Sequence, residues 1–203
     1  MKTYSQCKQD IFLREYVFKD KTDGYFIEIG ANDGVTFSNT KIFEEMGWDG
    51  ICIEPIPEVF NKLKENRTCR CVHGAISDRD TSTITFNHVV GASEMLSGIV
   101  DEYDPRHVSR IQKECQMFNC SQQLIEVPNY QFSDIVKIQN IDLLCIDTEG
   151  NELKILKTID FNYYDIKIIV VENNYTDPEF NRIMEQHGYK LIQILEGDYV
   201  FSK

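Results

Sequence analysis

One stretch limits the possible folds more than any other: Tyr25-Phe26-Ile27-Glu28-Ile29-Gly30-Ala31-Asn32-Asp33-Gly34. Its first half is a short apolar run, the pattern of a buried strand. Its second half is a turn with two glycines that reach φ > 0 at little cost. A helical pattern follows, with Ile42, Phe43 and Met46 on one face and Gly47 as the stop. Strand, glycine turn and helix together bring backbone N–H groups against a nucleotide-like ligand in α/β proteins. Glu28 stands inside the apolar run, where an unpaired carboxylate is costly. It therefore requires a partner, either a ligand or a turn N–H.

The turn lacks the Gly-Lys-Ser/Thr end of a phosphate-cradling loop. It also places Asn32 where a dinucleotide fingerprint has its second glycine, the one that admits a pyrophosphate. A ligand without phosphate and with a cationic amino acid end suits Glu28 and Asp33 better, and S-adenosylmethionine has that chemistry. Glu54 ends the next apolar run, Gly50–Glu54, 20 residues after Gly34. An acid at that spacing takes a ribose diol in dinucleotide folds.

The net charge of -12, with no compensating basic stripe, opposes a nucleic-acid partner. The seven cysteines are scattered and lack zinc-type spacing, which predicts reduced thiols in a cytoplasmic compartment. No run is long enough to span a membrane and the N-terminus has no apolar signal region. The length fits one domain over residues 1–203, with an insertion at about 87–127 over the ligand edge.

Taken in order, Ser5 to Phe18 predicts an amphipathic helix with Ile11, Phe12, Tyr16 and Phe18 inward and Gln9-Asp10 on a solvated face. Thr36 to Thr40 suits capping of the next helix. Pro57 opens a helix with Val59, Phe60 and Leu63 buried. Cys71 to Asp78 reads as a third strand whose small residues leave room for a flat ring, and Thr83 to Phe86 as a short strand. The segment after it is the least regular, with Val108, Ile111, Cys115 and Phe118 at helical spacing. His73, His88 and His107 lie in or near it and read as structural or solvated. Ile141 to Asp147 is the fourth strand and ends in three crowded acids, Asp147, Glu149 and Glu152. Such crowding calls for a cation or a general-base role, with Glu152 complementing the helix dipole. Ile166 to Asn174 is the fifth strand. A helix after Asp177-Pro178 buries Phe180, Ile183 and Met184, and Tyr189 to Phe201 closes the chain as a hairpin.

The order resembles a class I methyltransferase, and its details resemble the FkbM-type methyltransferase family. The matching pieces are Ser5-Gln6…Gln9-Asp10, Glu28 to Gly34, Ser38-Asn39-Thr40, Gly47-Trp48, Glu54-Pro55, Ala75-Ile76-Ser77, Ile146 to Glu152 and Val171-Glu172-Asn173. The resemblance implies a Rossmann-like α/β fold: a mostly parallel seven-stranded sheet, a C-terminal antiparallel hairpin and helices on both faces. It also implies S-adenosylmethionine as cofactor and O-methylation of a sugar or other small molecule. The cofactor set it implies is Gln9, Glu28, Gly30, Ala31, Asn32, Asp33, Gly34, Ser38, Asn39, Glu54, Pro55, Ala75, Ile76, Ser77 and Asp147. Asp147 and Glu149 fall near the transferred methyl as candidate bases. Asp147, Glu172 and Asn173 resemble the magnesium site of catechol O-methyltransferases. The rival readings are a catalytically silent binding module of the same fold and an NAD-dependent oxidoreductase.

Overall fold

The computed structural model describes residues 2–19 and 21–203. A short helix, α1 (Gln9–Phe12), runs on into π-helical turns over Leu13–Phe18. There follow β1 (Tyr25–Ile29), α2 (Lys41–Glu45), β2 (Asp49–Glu54), α3 (Pro57–Asn66), β3 (Arg70–His73), β4 (Ala75–Ile76), β5 (Thr83–Val90) and β6 (Gly98–Ile99). Then come α4 (Pro105–Phe118), β7 (Ser121–Tyr130), α5 (Phe132–Ile135), β8 (Asn140–Ile146), α6 (Glu152–Thr158), β9 (Asp165–Glu172), α7 (Glu179–Gln186), β10 (Lys190–Leu195) and β11 (Asp198–Ser202).

The main sheet has seven strands in the order β10-β11-β9-β8-β1-β2-β3. β1 pairs in parallel with both β2 and β8, and β11 is antiparallel to β9 and β10. From β1 the chain first builds outward through β2 and β3, then returns to the other side of β1 for β8 and β9. The strand order therefore reverses between β1 and β8, the place where open α/β sheets hold ligands beyond their strand ends.

Strand alternation sorts side chains into two layers. Ile27, Ile29, Ile51, Ile53, Leu144 and Ile146 face one side and pack under Phe132, Ile155, Leu156 and Met184. Phe26, Cys52, Leu143 and Cys145 face the other, with Leu13, Phe43, Trp48 and Leu63. Glu28 shares this second face with Phe26, so its carboxylate enters a packed layer.

Several local expectations give way. The N-terminal helix starts at Gln9, and Ser5 instead bridges to Phe37. Tyr16 is 70% exposed while Leu13 turns inward. Gln9 and Asp10 are buried, not solvated, because Asp10 gathers the amide of Tyr4 and the hydroxyls of Thr3 and Ser5. The expected third strand breaks at Gly74 (φ +146), where a Cβ would meet the Pro128 carbonyl at 2.7 Å. Ala75–Ile76 then leaves the main sheet for a second one, ordered β4-β7-β5-β6. The segment that looked least regular is therefore well ordered: β5 and β7 pair over eight positions, and α4 runs for 14 residues. Polar Ser121-Gln122-Gln123 and an internal Pro128 mask β7 in the sequence. Among the described residues no helix is long and apolar enough to cross a membrane.

Candidate functional site

The turn after β1 is tied to both neighbouring strands. Gly30 and Ala31 donate their N–H groups to the Ile53 carbonyl at 3.0 and 2.9 Å, and the Asp147 amide donates to Ile29 at 3.0 Å. Asp33 stays within the turn, accepting from the amides of Val35 and Thr36 and from the Thr36 hydroxyl. Burial opposes its charge, but these bonds outweigh it and lower the pKa.

Glu28 finds its partners inside the protein. It accepts from Ser38 Oγ at 3.0 Å, the Asn39 amide at 2.8 Å and Thr40 Oγ1 at 2.7 Å. Arg67, whose side chain is fully buried, lies 3.2 Å from Glu28 and 2.9 Å from Glu44. Ser38 Oγ also accepts from the Thr40 and Lys41 amides and so starts α2. The carboxylate thus fastens the turn to the head of α2 through charge-assisted bonds.

Beyond the ends of β1, β2 and β8 lies an open cleft lined by Gly30, Asn32, Ile53, Glu54, Pro55, Ile56, Ala75, Ile76, Asp147 and Asn151. Phe86, Met95 and Ile99 from the second sheet and its loops complete the walls. Glu54 lies at the floor, buried, with one oxygen taking the Asn32 amide at 3.0 Å and the other the Ile56 amide at 2.8 Å. Each oxygen keeps a free lone pair. Burial pushes its carboxyl up to about 7 from 4.5, outweighing those two bonds.

A raised acid is a stability term with a definite sign. The folded state holds the Glu54 proton more tightly than the unfolded chain does. Its contribution is fully present below 4.5 and is lost as pH rises through about 7. Glu54→Gln is expected to narrow this loss: in urea titrations the variant's stability, relative to wild type, should rise across that window. A constant difference between the two proteins would contradict the raised pKa of this buried carboxyl.

The cleft continues into a polar end lined by Gln9, Asn39, Met95, Arg110, Asp147, Glu149, Glu172 and Asp198. Oxygens of Asp147, Glu152 and Glu172 lie within 4.8 Å of one another. Asp147 meets solvent along its open edge. The surrounding protein still withdraws water from the carboxyl and, with the charges of Glu172 and Asp198, raises its pKa well above the usual range. Desolvation, then Glu149 and Glu152, push Glu172 up to about 9, and desolvation pushes Asp198 up to about 6. Glu149 has a positive φ of 59°, a conformation uncommon for a non-glycine residue. Its Oε2 lies 3.4 Å from His107 Nδ1, and His107 Nε2 contacts the Leu96 carbonyl at 3.1 Å. Glu152 braces the loop by accepting from the Thr148 amide and hydroxyl and the Gly150 amide.

Most of the expected residues come together here. Gly30, Asn32, Glu54, Pro55, Ala75, Ile76 and Asp147 line the more apolar part, and Gln9, Asn39, Glu149 and Glu172 the polar end. Glu28, Ala31 and Ser38 border the join. Asp33 and Gly34 serve the turn, and Gly34 packs on Arg67 and Leu63. Ser77 turns away to donate to Asn129 Oδ1 at 2.8 Å. Asn173 borders the outer rim, but its amide is spent on the backbone of Asp177, so Glu152 stands where it was expected among the acids. Sequence reasoning missed Met95, Phe86, Asn151, Arg110, His107 and Asp198. Only Asn151 and His107 carried a signal, one inside the Asp-Thr-Glu-Gly-Asn-Glu run and the other as an isolated histidine. Asn39 Oδ1 and Asn151 Oδ1 are buried beside the cleft without hydrogen-bond partners, and Glu149 Oε2 has only the 3.4 Å approach of His107 Nδ1. A ligand that brings donors would satisfy them.

No curated protein sequence is significantly similar to the chain. Among solved structures, methyltransferase FkbM from Methylobacillus flagellatus KT superposes with a TM-score of 0.56 at 10% identity, covering 98% of this chain and 48% of that one. The METTL16 MTase domain superposes with a TM-score of 0.50 at 10% identity, covering 94% and 64%. The chain thus spans about half the length of the first and under two thirds of the second. These likenesses establish the Rossmann-like methyltransferase fold. The profile of the methyltransferase FkbM domain matches residues 28–191, from the glycine turn to the closing hairpin. The chain belongs to the FkbM methyltransferase family.

Proposed function

We propose that the protein binds S-adenosylmethionine and transfers its methyl group to a hydroxyl of a small molecule or glycan. The observation that carries this reading is the cleft at the reversal point of the sheet, with a buried acid at one end, crowded acids at the other and unpartnered acceptors between. The donor set of that cofactor fits them. Glu54 has lone pairs for two ribose hydroxyls, Ile53, Ile56, Ala75 and Ile76 offer flat apolar walls to the base, and Asn39 Oδ1 and Asp147 suit the amino acid ammonium. The bound cofactor supplies an electrophilic methyl on a cationic sulfur.

The protein's share is alignment of the acceptor and custody of its proton. Asp147 and Glu149 hold protons more tightly than ordinary carboxylates, so in its ionised form either is the stronger base for the hydroxyl proton as that oxygen loses charge to the new bond. The grouping of Asp147, Glu152 and Glu172 oxygens would also suit a hard divalent cation such as magnesium. The reading treats residues 1–203 as one methyltransferase domain with an insertion over the cleft, working in the cytoplasm, where its thiols stay reduced.

Asp147→Asn is the test. It keeps shape and removes charge. Methyl transfer to an identified acceptor is expected to fall roughly 100-fold or more; S-adenosylhomocysteine affinity that stays within a few-fold of wild type by calorimetry marks a base or metal ligand, and affinity that falls in step marks an anchor for the ammonium. Sensitivity of the wild-type rate to a chelator assigns the metal role. A wild-type protein that binds neither S-adenosylmethionine nor S-adenosylhomocysteine refutes the reading.

A further inference from the structure

β10 (Lys190–Leu195) is the last strand of the main sheet: β11 pairs along one edge, and among the described residues no strand covers the other. That edge offers a row of backbone N–H and C=O groups, which native proteins usually blunt with charge or proline. Here the side chains from 191 to 195 are Leu, Ile, Gln, Ile and Leu. Leu191, Ile192 and Ile194 are 37, 43 and 46% exposed. The one protective device is a bulge at Ile192, where the register with β11 shifts. It bends the strand without placing a charge on it.

The order of the residues indicates the occupant. Lys190-Leu191-Ile192-Gln193-Ile194-Leu195-Glu196 reads the same in both directions from Leu191 to Leu195 and ends in opposite charges. Lys190 and Glu196 are both exposed. An antiparallel strand of the same sequence, centred on Gln193, sets Ile192 opposite Ile194, Leu191 opposite Leu195 and Lys190 opposite Glu196, each pair occurring twice. Cross-strand neighbours share a face of the sheet and interact directly. Moving the centre to Ile192 sets Lys190 opposite Ile194 and Leu191 opposite Gln193. Moving it to Ile194 sets Ile192 opposite Glu196 and Gln193 opposite Leu195. Of these registers, the one about Gln193 alone matches apolar with apolar and charge with countercharge.

We propose that β10 is a homodimer interface, pairing antiparallel with β10 of a second copy about a two-fold axis at Gln193, so that two seven-stranded sheets run on as one. An isologous contact of this kind closes on itself and removes the free edge. Leu195 and Glu196 also line the polar end of the cleft, so the pairing brings Lys190 of one copy to the rim of the other copy's cleft. The inference stands apart from the methyltransferase reading, because it uses no residue given a role in binding or transfer.

Sedimentation equilibrium of the wild-type protein is expected to give twice the chain mass. Ile194→Lys, at an exposed position, sets lysine opposite Ile192 at two places and is expected to weaken association roughly tenfold or more. Lys190→Glu should weaken it too, and adding Glu196→Lys should restore it. Mild oxidation with copper phenanthroline reads the register. Gln193→Cys faces itself across the axis and is expected to give a disulfide-linked dimer, whereas Ile192→Cys, which faces Ile194, gives much less. Wild type under the same oxidation controls for the native thiols. A wild type that stays monomeric up to its solubility limit overturns the proposal. So does a dimer indifferent to Ile194→Lys, or a Gln193→Cys protein that cross-links no more than wild type. If Ile194→Lys does not fold by circular dichroism, the charge swap decides: association lost in Lys190→Glu and regained in the double variant supports the interface, and association unchanged in both refutes it.

Discussion

Arg67→Met is expected to lower the unfolding free energy by about 3–5 kcal/mol, the scale of removing one partner from a buried ion pair. The guanidinium is fully buried between Glu28 and Glu44 and also donates to the Gly34 carbonyl, Ser38 Oγ and Thr40 Oγ1. Methionine fills much of the space but leaves Glu28 without a cation and Glu44 with Lys41 alone. Equilibrium unfolding in urea measures the loss. A change under about 1 kcal/mol would mean that the hydroxyls and the Asn39 amide hold Glu28 unaided. Acid sensitivity gives a second reading. Glu44 is held at about 2, since Lys41 and Arg67, with the Cys69 and Thr68 amides, overcome its desolvation. Its stabilising contribution is present above 4.5 and is lost as pH falls through about 2. Without Arg67 the folded-state pKa moves up, so acid unfolding of the variant should begin at a higher pH.

Gly30→Val is expected to cost about 3 kcal/mol or more and to yield little folded protein. Gly30 has φ +84, and a Cβ there would sit 1.7 Å from the Asp147 carbonyl oxygen, which belongs to backbone and cannot rotate aside. On sequence grounds a side chain at this turn obstructs a ligand and spares the fold. The contact with Asp147 changes that expectation: the turn and the end of β8 touch so closely that fold and ligand site fail together. Gly30→Ala should fail in the same direction for the same reason. Circular dichroism melting measures it, and a variant that melts with wild type would show that the turn can shift without loss.

The elements legible in the sequence are those whose pattern is local. Tyr25–Ile29 with its glycines, the acid ending Gly50–Glu54 and the acid ending Ile141–Asp147 each declare themselves within ten residues, and all three meet at the cleft. Arg67 does not, because Asn66-Arg67-Thr68 reads as an ordinary solvated helix end. Its role exists only because Glu28, 39 positions earlier, is brought beneath α2. Asp10 looked solvated because its ligands are backbone and hydroxyl groups of the preceding loop, which no periodicity reports. β7 is masked because it pairs mainly with β5, and its apolar residues Ile125 and Val127 pack with Ile84 and Phe86 in a smaller cluster apart from the main core. Met95 borders both ends of the cleft, yet nothing about a methionine in a turn-rich segment announces that position.

The hydrogen bond from Gln9 to Asp198 joins positions 189 apart at the polar end of the cleft. Phe26 in β1 likewise waits for Leu143 in β8 before the centre of the sheet exists. On a growing chain, the glycine turn and Glu54 are therefore made early but stand beside an unfinished wall. The acids that crowd Asp147 arrive with β9 and β11, among the last strands synthesised. Such non-local closure slows folding, and it also makes ligand competence a report on completion. A chain interrupted before the hairpin keeps the turn and Glu54 yet lacks Asp198, so the polar end of the cleft stays incomplete until β11 has paired with β9.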